Sequence, residues 1–453
     1  MKLKLFFTTA MAVLMAVPAF AGGYLTNTNQ SISFLRNPSQ DAAIGITSLY
    51  SNPAGVNFLD NGFHLSIGIM NVHQNRDVNS TFPLYSYGVQ NNGIVTKDFK
   101  GKAKAPVLPS LQASYNMDKW AFSFDFGLIG GGGKCKYNDG LPSFESTVAL
   151  LPLLINSQAG ANIANGYDFE TFMRGRSYQY GFQFGAGYNV TDNLSVYGGV
   201  RLLYATNNYF GYVRNITVNT SVYGDNIPVS SLTDAVPDPI ELNCNQTGWG
   251  LTPIVGVDWK INKHWNLAAK YEFKTKIRME NQSVNVGTNG LSQLDQFKDG
   301  EKVAEDVPGI FTVGAMYSPI DQVRINVGYH LYDDKHATKY GDRNKLLDGN
   351  TWEITAGAEW DFAERWTVSA GWQTTNYPNT DEYMNDVSFT TNSNTFGAGV
   401  KYQINKKVAV EAAYFQTIYK EYKKEYTDAY GLGHIDIYSR SNRVIGAGVT
   451  LDL

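Results

Sequence analysis

From Phe63 onward, apolar residues recur at every second position. In Phe63-His64-Leu65-Ser66-Ile67-Gly68-Ile69 the odd positions are apolar and the even ones polar or small. The pattern returns at Trp120, Phe122, Phe124, Phe126 and Leu128, at Tyr178 to Phe184, at Trp265 to Phe273, at Val323 to Tyr329, at Trp352 to Trp360 and at Trp366 to Trp372. Side chains on a strand point alternately to its two faces, so each stretch predicts a strand with one greasy and one polar face. Fourteen such segments are centred near residues 68, 111, 125, 183, 201, 254, 271, 313, 327, 355, 370, 398, 413 and 447. An even number closes as hairpins.

The connectors alternate in length. Short turns are predicted at Asn116 to Lys119, Val190 to Asn193, Ile261 to His264, Ser318 to Gln322, Asp361 to Arg365 and Ile404 to Lys407. Long loops are predicted over 76–104, 130–175, 214–246, 281–307, 334–349, 377–393 and 423–439. Six short turns on one rim and seven long loops on the other match an antiparallel transmembrane β-barrel with periplasmic turns and extracellular loops. Trp120, Trp259, Trp265, Trp360 and Trp366 all stand beside short turns, where amphipathic rings suit the headgroup level. Tyr419, Tyr422, Tyr426 and Tyr430, set among Lys and Glu, predict a strand protruding above the membrane.

Composition fits this picture. The 453 residues include 44 glycines and 13% aromatics, with 43% hydrophobic and 17% charged residues. A net charge of −4 offers no basic face for nucleic acid. Mean hydropathy is −0.27, which an alternating barrel shares with soluble proteins, and beyond the N-terminus no apolar run reaches the roughly 20 residues of a spanning helix. Residues 1–21 read as a signal peptide: Lys2 and Lys4, an apolar run from Leu5 to Val17, then Ala19-Phe20-Ala21. Export to an oxidising compartment leaves open whether Cys135 and Cys244, read as lying in or beside exposed loops, form a disulfide or stay free thiols.

Residues 22–61 lack the alternation and are of a size to plug a lumen too wide for its own side chains to fill. They end in Ser51-Asn52-Pro53-Ala54-Gly55, a predicted rigid corner. Pro106 and Pro109 in the second strand cannot donate ladder hydrogen bonds, and the third strand runs into Gly127 and Gly130 to Gly133. This is either a lateral gate or a glycine-rich loop base. The loop that follows carries Leu150, Leu151, Leu153, Leu154 and Ile155, read both as a small satellite core and as a landing surface for an acyl chain. By parity, Arg201, Lys270, Lys274, Arg324, Glu353, Glu359, Lys401 and Glu411 face the lumen. Arg201 and Lys270 are the candidates for a carboxylate headgroup, against the alternative that these charges pair with one another or anchor the plug. The six histidines show no ligand spacing and no catalytic set stands out, so neither enzyme nor cofactor nor metal is expected.

A segment ending in Asn52-Pro53-Ala54-Gly55 before a fourteen-strand barrel, with the wording of Pro106 to Gly133, resembles the FadL-type outer-membrane transporters of long-chain fatty acids and other hydrophobic compounds. Two features depart from that family: Arg36-Asn37-Pro38-Ser39-Gln40 replaces a more glycine-rich stretch, and Leu453 stands where an aromatic is usual. The resemblance implies a hatch over residues 22–61, a barrel over 62–453, capture of hydrophobic small molecules outside, and exit sideways through a kinked third strand into outer-membrane lipid. The expected form is a monomer. A surface-binding barrel with a closed lumen, adhesin-like, is the alternative, and a general diffusion porin the third.

Overall fold

The computed structural model describes residues 27–232, 236, 238–286 and 296–453. The signal peptide and residues 22–26 of the expected hatch lie outside the described residues. Among those described, fourteen antiparallel strands form the barrel wall: β1 (Gly62–Thr81), β2 (Thr96–Met117), β3 (Trp120–Tyr137), β4 (Ala164–Thr191), β5 (Leu194–Thr220), β6 (Ile240–Lys260), β7 (Trp265–Glu272), β8 (Ile310–Ile320), β9 (Val323–Tyr332), β10 (Thr351–Ala363), β11 (Trp366–Asn376), β12 (Ser393–Asn405), β13 (Val408–Tyr419) and β14 (Gly433–Asp452). Each pairs with its sequence neighbours, and β14 closes on β1 from His64↔Asp452 to Thr81↔Ile435. All six short turns and the fourteen strands lie where the alternation predicts them. Four short strands, Gly224–Pro228, Arg278–Val286, Lys302–Ala304 and Tyr422–Thr427, extend the wall upward at its long-loop end.

The long loops are shorter than expected because the strands run on through them. β4 has 28 residues and β5 has 27, whereas β8 to β13 have only 10 to 13. A tilted strand crosses the bilayer in about 9–11 residues. Beyond that height both faces of the wall meet polar surroundings or packed loops, so apolar alternation fades while the hydrogen-bonded ladder continues.

The outer face is the greasy one. Phe122, Phe184, Leu251, Val327, Phe396 and Ile445 are exposed there, whereas the opposite face is mainly buried and polar. At the short-turn rim the aromatic girdle is paired across strands: Trp120 with Tyr188 at 4.7 Å, Trp265 with Tyr317 at 4.5 Å and Trp366 with Tyr402 at 4.6 Å between ring centroids. At the other end, the inward faces of the tall strands and the loops share one apolar core that includes Phe82, Tyr85, Leu141, Leu154, Phe297 and Phe389. This core closes the top of the bore.

The cysteines do not pair. Cys135, Gly175, Tyr209 and Cys244 occupy one row across β3, β4, β5 and β6. Three ladder steps of about 4.8 Å separate the thiols by about 14 Å, twice the reach of a disulfide. Both are free and buried within strands, not in loops.

Candidate functional site: a seam in the wall and the segment behind it

The ladder between β2 and β3 is broken. Pairing runs from Met117↔Trp120 to Leu111↔Phe126 and resumes only at Lys104↔Lys134, which leaves residues 105–110 and 127–133 unpaired across the gap. On the other side of β2, the register with β1 slips between Met70 and Val72, where Asn71 Nδ2 donates to the Pro106 carbonyl at 3.0 Å. β3 in turn slips twice against β4, around Gly130. Gly131 (φ 103°) and Gly133 (φ 70°) take left-handed backbone that side chains disfavour. These glycines belong to the strand itself, not to a loop base. Prolines remove donors from one lip and glycines let the other bend away.

Behind the seam is a cavity of about 130 Å³. Its lining is mixed: Phe34, Leu35, Met70, Leu108, Ile129 and Phe415 supply the apolar part, and Asn27, Asn29, Gln30, Gln74, Arg440 and Asn442 the polar part. None of the six apolar residues was singled out by the sequence. They come from α1 (Ile32–Arg36), β1, β2, β3 and β13, and only the barrel's closure brings them together. A second, polar cavity of about 880 Å³ opens at the short-turn mouth, lined by Arg36, Arg324, Glu359, Asp361 and Lys401 among others. Helix α1 is the partition. Phe34 and Leu35 face the first chamber, while Ser33 and Arg36 face the second.

The segment from Asn27 to Leu59 is fixed to the inner wall at several heights. Arg36 Nε meets Glu411 at 2.8 Å and its Nη1 lies 3.4 Å from Glu359. Asn37 lies against Gly357 and Gly371, and Asp41 against Gly314 and Gly328; a Cβ on Gly314 would come 2.5 Å from that of Asp41. Glycines on β8 to β11 thus leave the room that this stretch occupies. His330 is held between Asp41 at 2.9 Å and Glu353 at 2.8 Å. Asn52 donates to Asp258 and, at 3.1 Å, to the Ala43 carbonyl. Pro53 lies against Gly256 on β6, and Ala54 is fully buried with Tyr197 and Ile254. Gly55 has an ordinary φ. It is needed for space, since a Cβ there would meet the Asn52 amide and come 2.8 Å from the Asp258 carboxylate.

Arg201 and Lys270 are not available to a ligand. Both are buried and both engage Glu272, Lys270 at 2.6 Å, while Lys270 also donates to the Tyr50 carbonyl at 2.7 Å and Arg201 to Gln183 at 2.7 Å. The two buried cations share a carboxylate and fasten the segment through Tyr50, the alternative arrangement expected for these charges. Parity placed them correctly on the inner face, and it also puts Glu272, two residues from Lys270 on β7, beside it; the approach of Arg201 from β5 and of Tyr50 from the segment is what sequence does not show. In the loop, α2 (Pro142–Val148) and α3 (Leu151–Ala159) bury Leu150, Leu151 and Leu154 in the upper core, leave Ile155 half-buried and Leu153 39% exposed. Three of the five expected landing residues are therefore packing residues, and the satellite-core reading holds for them.

A family model described as "Gram-negative porin" matches residues 240–422. Among solved structures, a FadL homologue of Pseudomonas aeruginosa aligns with 95% of this chain and 99% of its own, at 14% identity and a TM-score of 0.66. The Pseudomonas putida toluene transporter TodX aligns over 90% and 94%, at 14% identity and TM-score 0.57, and the Ralstonia pickettii toluene transporter TbuX over 93% and 98%, at 16% and 0.54. No curated protein matches by sequence. With a greasy outer wall, these findings make the chain a multi-pass β-barrel of the Gram-negative outer membrane. In fold it is of the FadL type.

Proposed function

We propose that this barrel carries hydrophobic small molecules passively across the outer membrane, and that they leave through the seam between β2 and β3. The observation that carries the reading is the unpaired stretch opening onto a cavity with an apolar side built by Phe34, Leu35, Met70, Leu108, Ile129 and Phe415. Unpaired backbone facing lipid costs several kcal/mol per group, so a gap of this kind is tolerated where it lines a protected opening. Pro106, Pro109, Gly127 and Gly130 form its lips. Residues 27–59 act as the hatch, and α1 keeps the apolar chamber apart from the polar vestibule. Axial passage would require moving Arg36 off Glu411, and breaking a buried pair of this kind costs about 3–5 kcal/mol. Sideways exit requires no such break.

The cavity is close to the volume of roughly 150 Å³ that accommodates a benzene ring in an apolar protein interior. It suits a single-ring hydrocarbon, or the end of an acyl chain whose remainder extends through the seam. The carboxylate-bearing alternative has one observation in its favour. Arg440, on the cavity wall, pairs directly across from the buried Arg76, and neither forms an ion pair among the described residues. Long-chain fatty acids and neutral aromatics are therefore the two substrate classes to compare.

The test is uptake of labelled toluene, oleate and a small sugar by cells making the parent or Ala105→Trp, which fills the cavity from β2. At matched outer-membrane levels, the variant is expected to lower uptake of the preferred hydrophobic compound at least tenfold and leave the sugar unchanged. Equal uptake by both would overturn the seam route, and uptake by the parent no higher than in cells lacking the barrel would favour a surface-binding barrel.

A further inference from the structure

On the outer face of the wall, directly above the seam, six cations stand in two rows. Lys104, Lys134 and Arg176 are register partners across β2, β3 and β4, and Lys102, Lys136 and Arg174 form the next row up. The four lysines are exposed and the two arginines half-exposed, while the alternate residues Ala103, Cys135 and Ser177 point inward and are buried. None of the six takes part in an ion pair among the described residues. Arg174 leans on Asn208 (3.0 Å) and the Phe210 ring (5.0 Å), and the Arg176 Nε has no hydrogen-bond partner among the described residues. The next positions in these rows are His73 and Asn75 on β1 and Asn208 and Phe210 on β5, so neither row contains a carboxylate; Asp77, one row higher on β1 opposite Lys100, stands within electrostatic reach of Lys102. Arg443, exposed on β14 opposite His73, prolongs the lower row.

The height of this patch is fixed by the girdles. Tyr178, Tyr180, Tyr204 and Trp249 make an upper aromatic belt, with Tyr204 and Trp249 tilted against each other at 4.4 Å and Tyr180 and Tyr204 stacked at 6.4 Å. On β6, Trp249 lies ten residues above Trp259 of the lower girdle, about 33 Å along the strand and about 25 Å along the barrel axis, the thickness of an outer-membrane apolar band. Arg176 is two residues beyond Tyr178 and four beyond Tyr180, hence about 5–10 Å above the upper belt. The cations therefore stand at the headgroup level of the outer leaflet.

Like charges on neighbouring strands repel and destabilise a sheet unless counter-charge is supplied. Inside the membrane plane, at this height, the surroundings that can supply it are lipid headgroups. Two rows two residues apart on each strand, about 7 Å, offer several donors to clustered phosphates, and both lysine and arginine bind phosphate oxygens through charge-assisted hydrogen bonds. We propose that this patch is a binding site for a phosphorylated glycolipid of the outer leaflet, its phosphates seated on Lys102, Lys104, Lys134, Lys136, Arg174 and Arg176. Its acyl chains then lie against the wall beside the seam.

The test is binding of diphosphoryl lipid A, dephosphorylated lipid A and phosphatidylglycerol to the full mature protein in neutral detergent, read by native mass spectrometry. The parent is expected to retain diphosphoryl lipid A at least tenfold more strongly than either other lipid. A Lys102→Gln, Lys104→Gln, Lys134→Gln, Lys136→Gln variant is expected to lose at least tenfold of that affinity, while a Lys406→Gln, Lys407→Gln control at the short-turn rim keeps it. Equal retention of phosphatidylglycerol or dephosphorylated lipid by the parent would overturn the proposal, whether or not the fourfold variant folds. So would undiminished lipid A binding by a folded variant.

Discussion

Single residues in this barrel are best understood from what their neighbours leave unsatisfied. Asp334, in the loop between β9 and β10, is buried, and its carboxylate accepts from the Thr351 amide at 2.9 Å. Burial pushes its pKa up to about 6, partly offset by the hydrogen bond from Thr351. The folded loop thus holds a proton more tightly than the unfolded chain. Its contribution is fully present below the unfolded value of 3.8 and is lost as pH rises through about 6. Amide exchange over residues 333–350, corrected for intrinsic rates, is expected to be slower at pH 4.5 than at pH 7.5. In Asp334→Asn, which keeps an acceptor and removes the charge, that difference should vanish. A mutant retaining the full pH difference would contradict this account.

Among the elements, what the sequence revealed follows from where a strand touches lipid. The alternation located all fourteen strands and six turns because an oil-facing side must be apolar at every second residue. It missed the upper ends of β1 to β6 and of β14, where that requirement lapses. It also could not show that inward parity in β2 switches from odd positions at Ala103 and Ala105 to even ones at Ser110 and Gln112. The bulge opposite Met70 and Val72 causes that switch, although Pro106 and Pro109 hinted at irregular pairing. Arg201 and Lys270 were placed on the correct face but given the wrong partner: Glu272, two residues from Lys270 on the same face of β7, was overlooked, and Arg201 and Tyr50 reach that pair only through the barrel's curvature. The leucines of α3 carried two readings that only packing separates. Leu154→Ala is expected to cost about 2–5 kcal/mol in the upper core. Limited proteolysis in detergent should then cut the loop over residues 138–163 well before the barrel, and cleavage no faster than in the parent would place Leu154 outside that core.

For the whole molecule, the wall is closed, with an apolar core of loops above and a fastened segment below standing in the bore. Single barrels in planar bilayers should therefore conduct far less than an open porin. Arg36→Met leaves Glu411 buried without its cation and should loosen α1. Conductance is expected to rise several-fold, with the barrel's resistance to unfolding in detergent largely retained. An unchanged, near-silent trace from the folded variant would show that the Arg36 pair does not hold the partition.

That partition is only five residues long. On the proposed route, grease on one flank and a guanidinium on the other would sort solutes by the compartment that dissolves them, and those at home in water would gain nothing by crossing. A bacterium could therefore display many copies of such a conduit and still keep out sugars, salts and polar antibiotics. Permeability to oils and permeability to ions become independently adjustable traits of the same envelope.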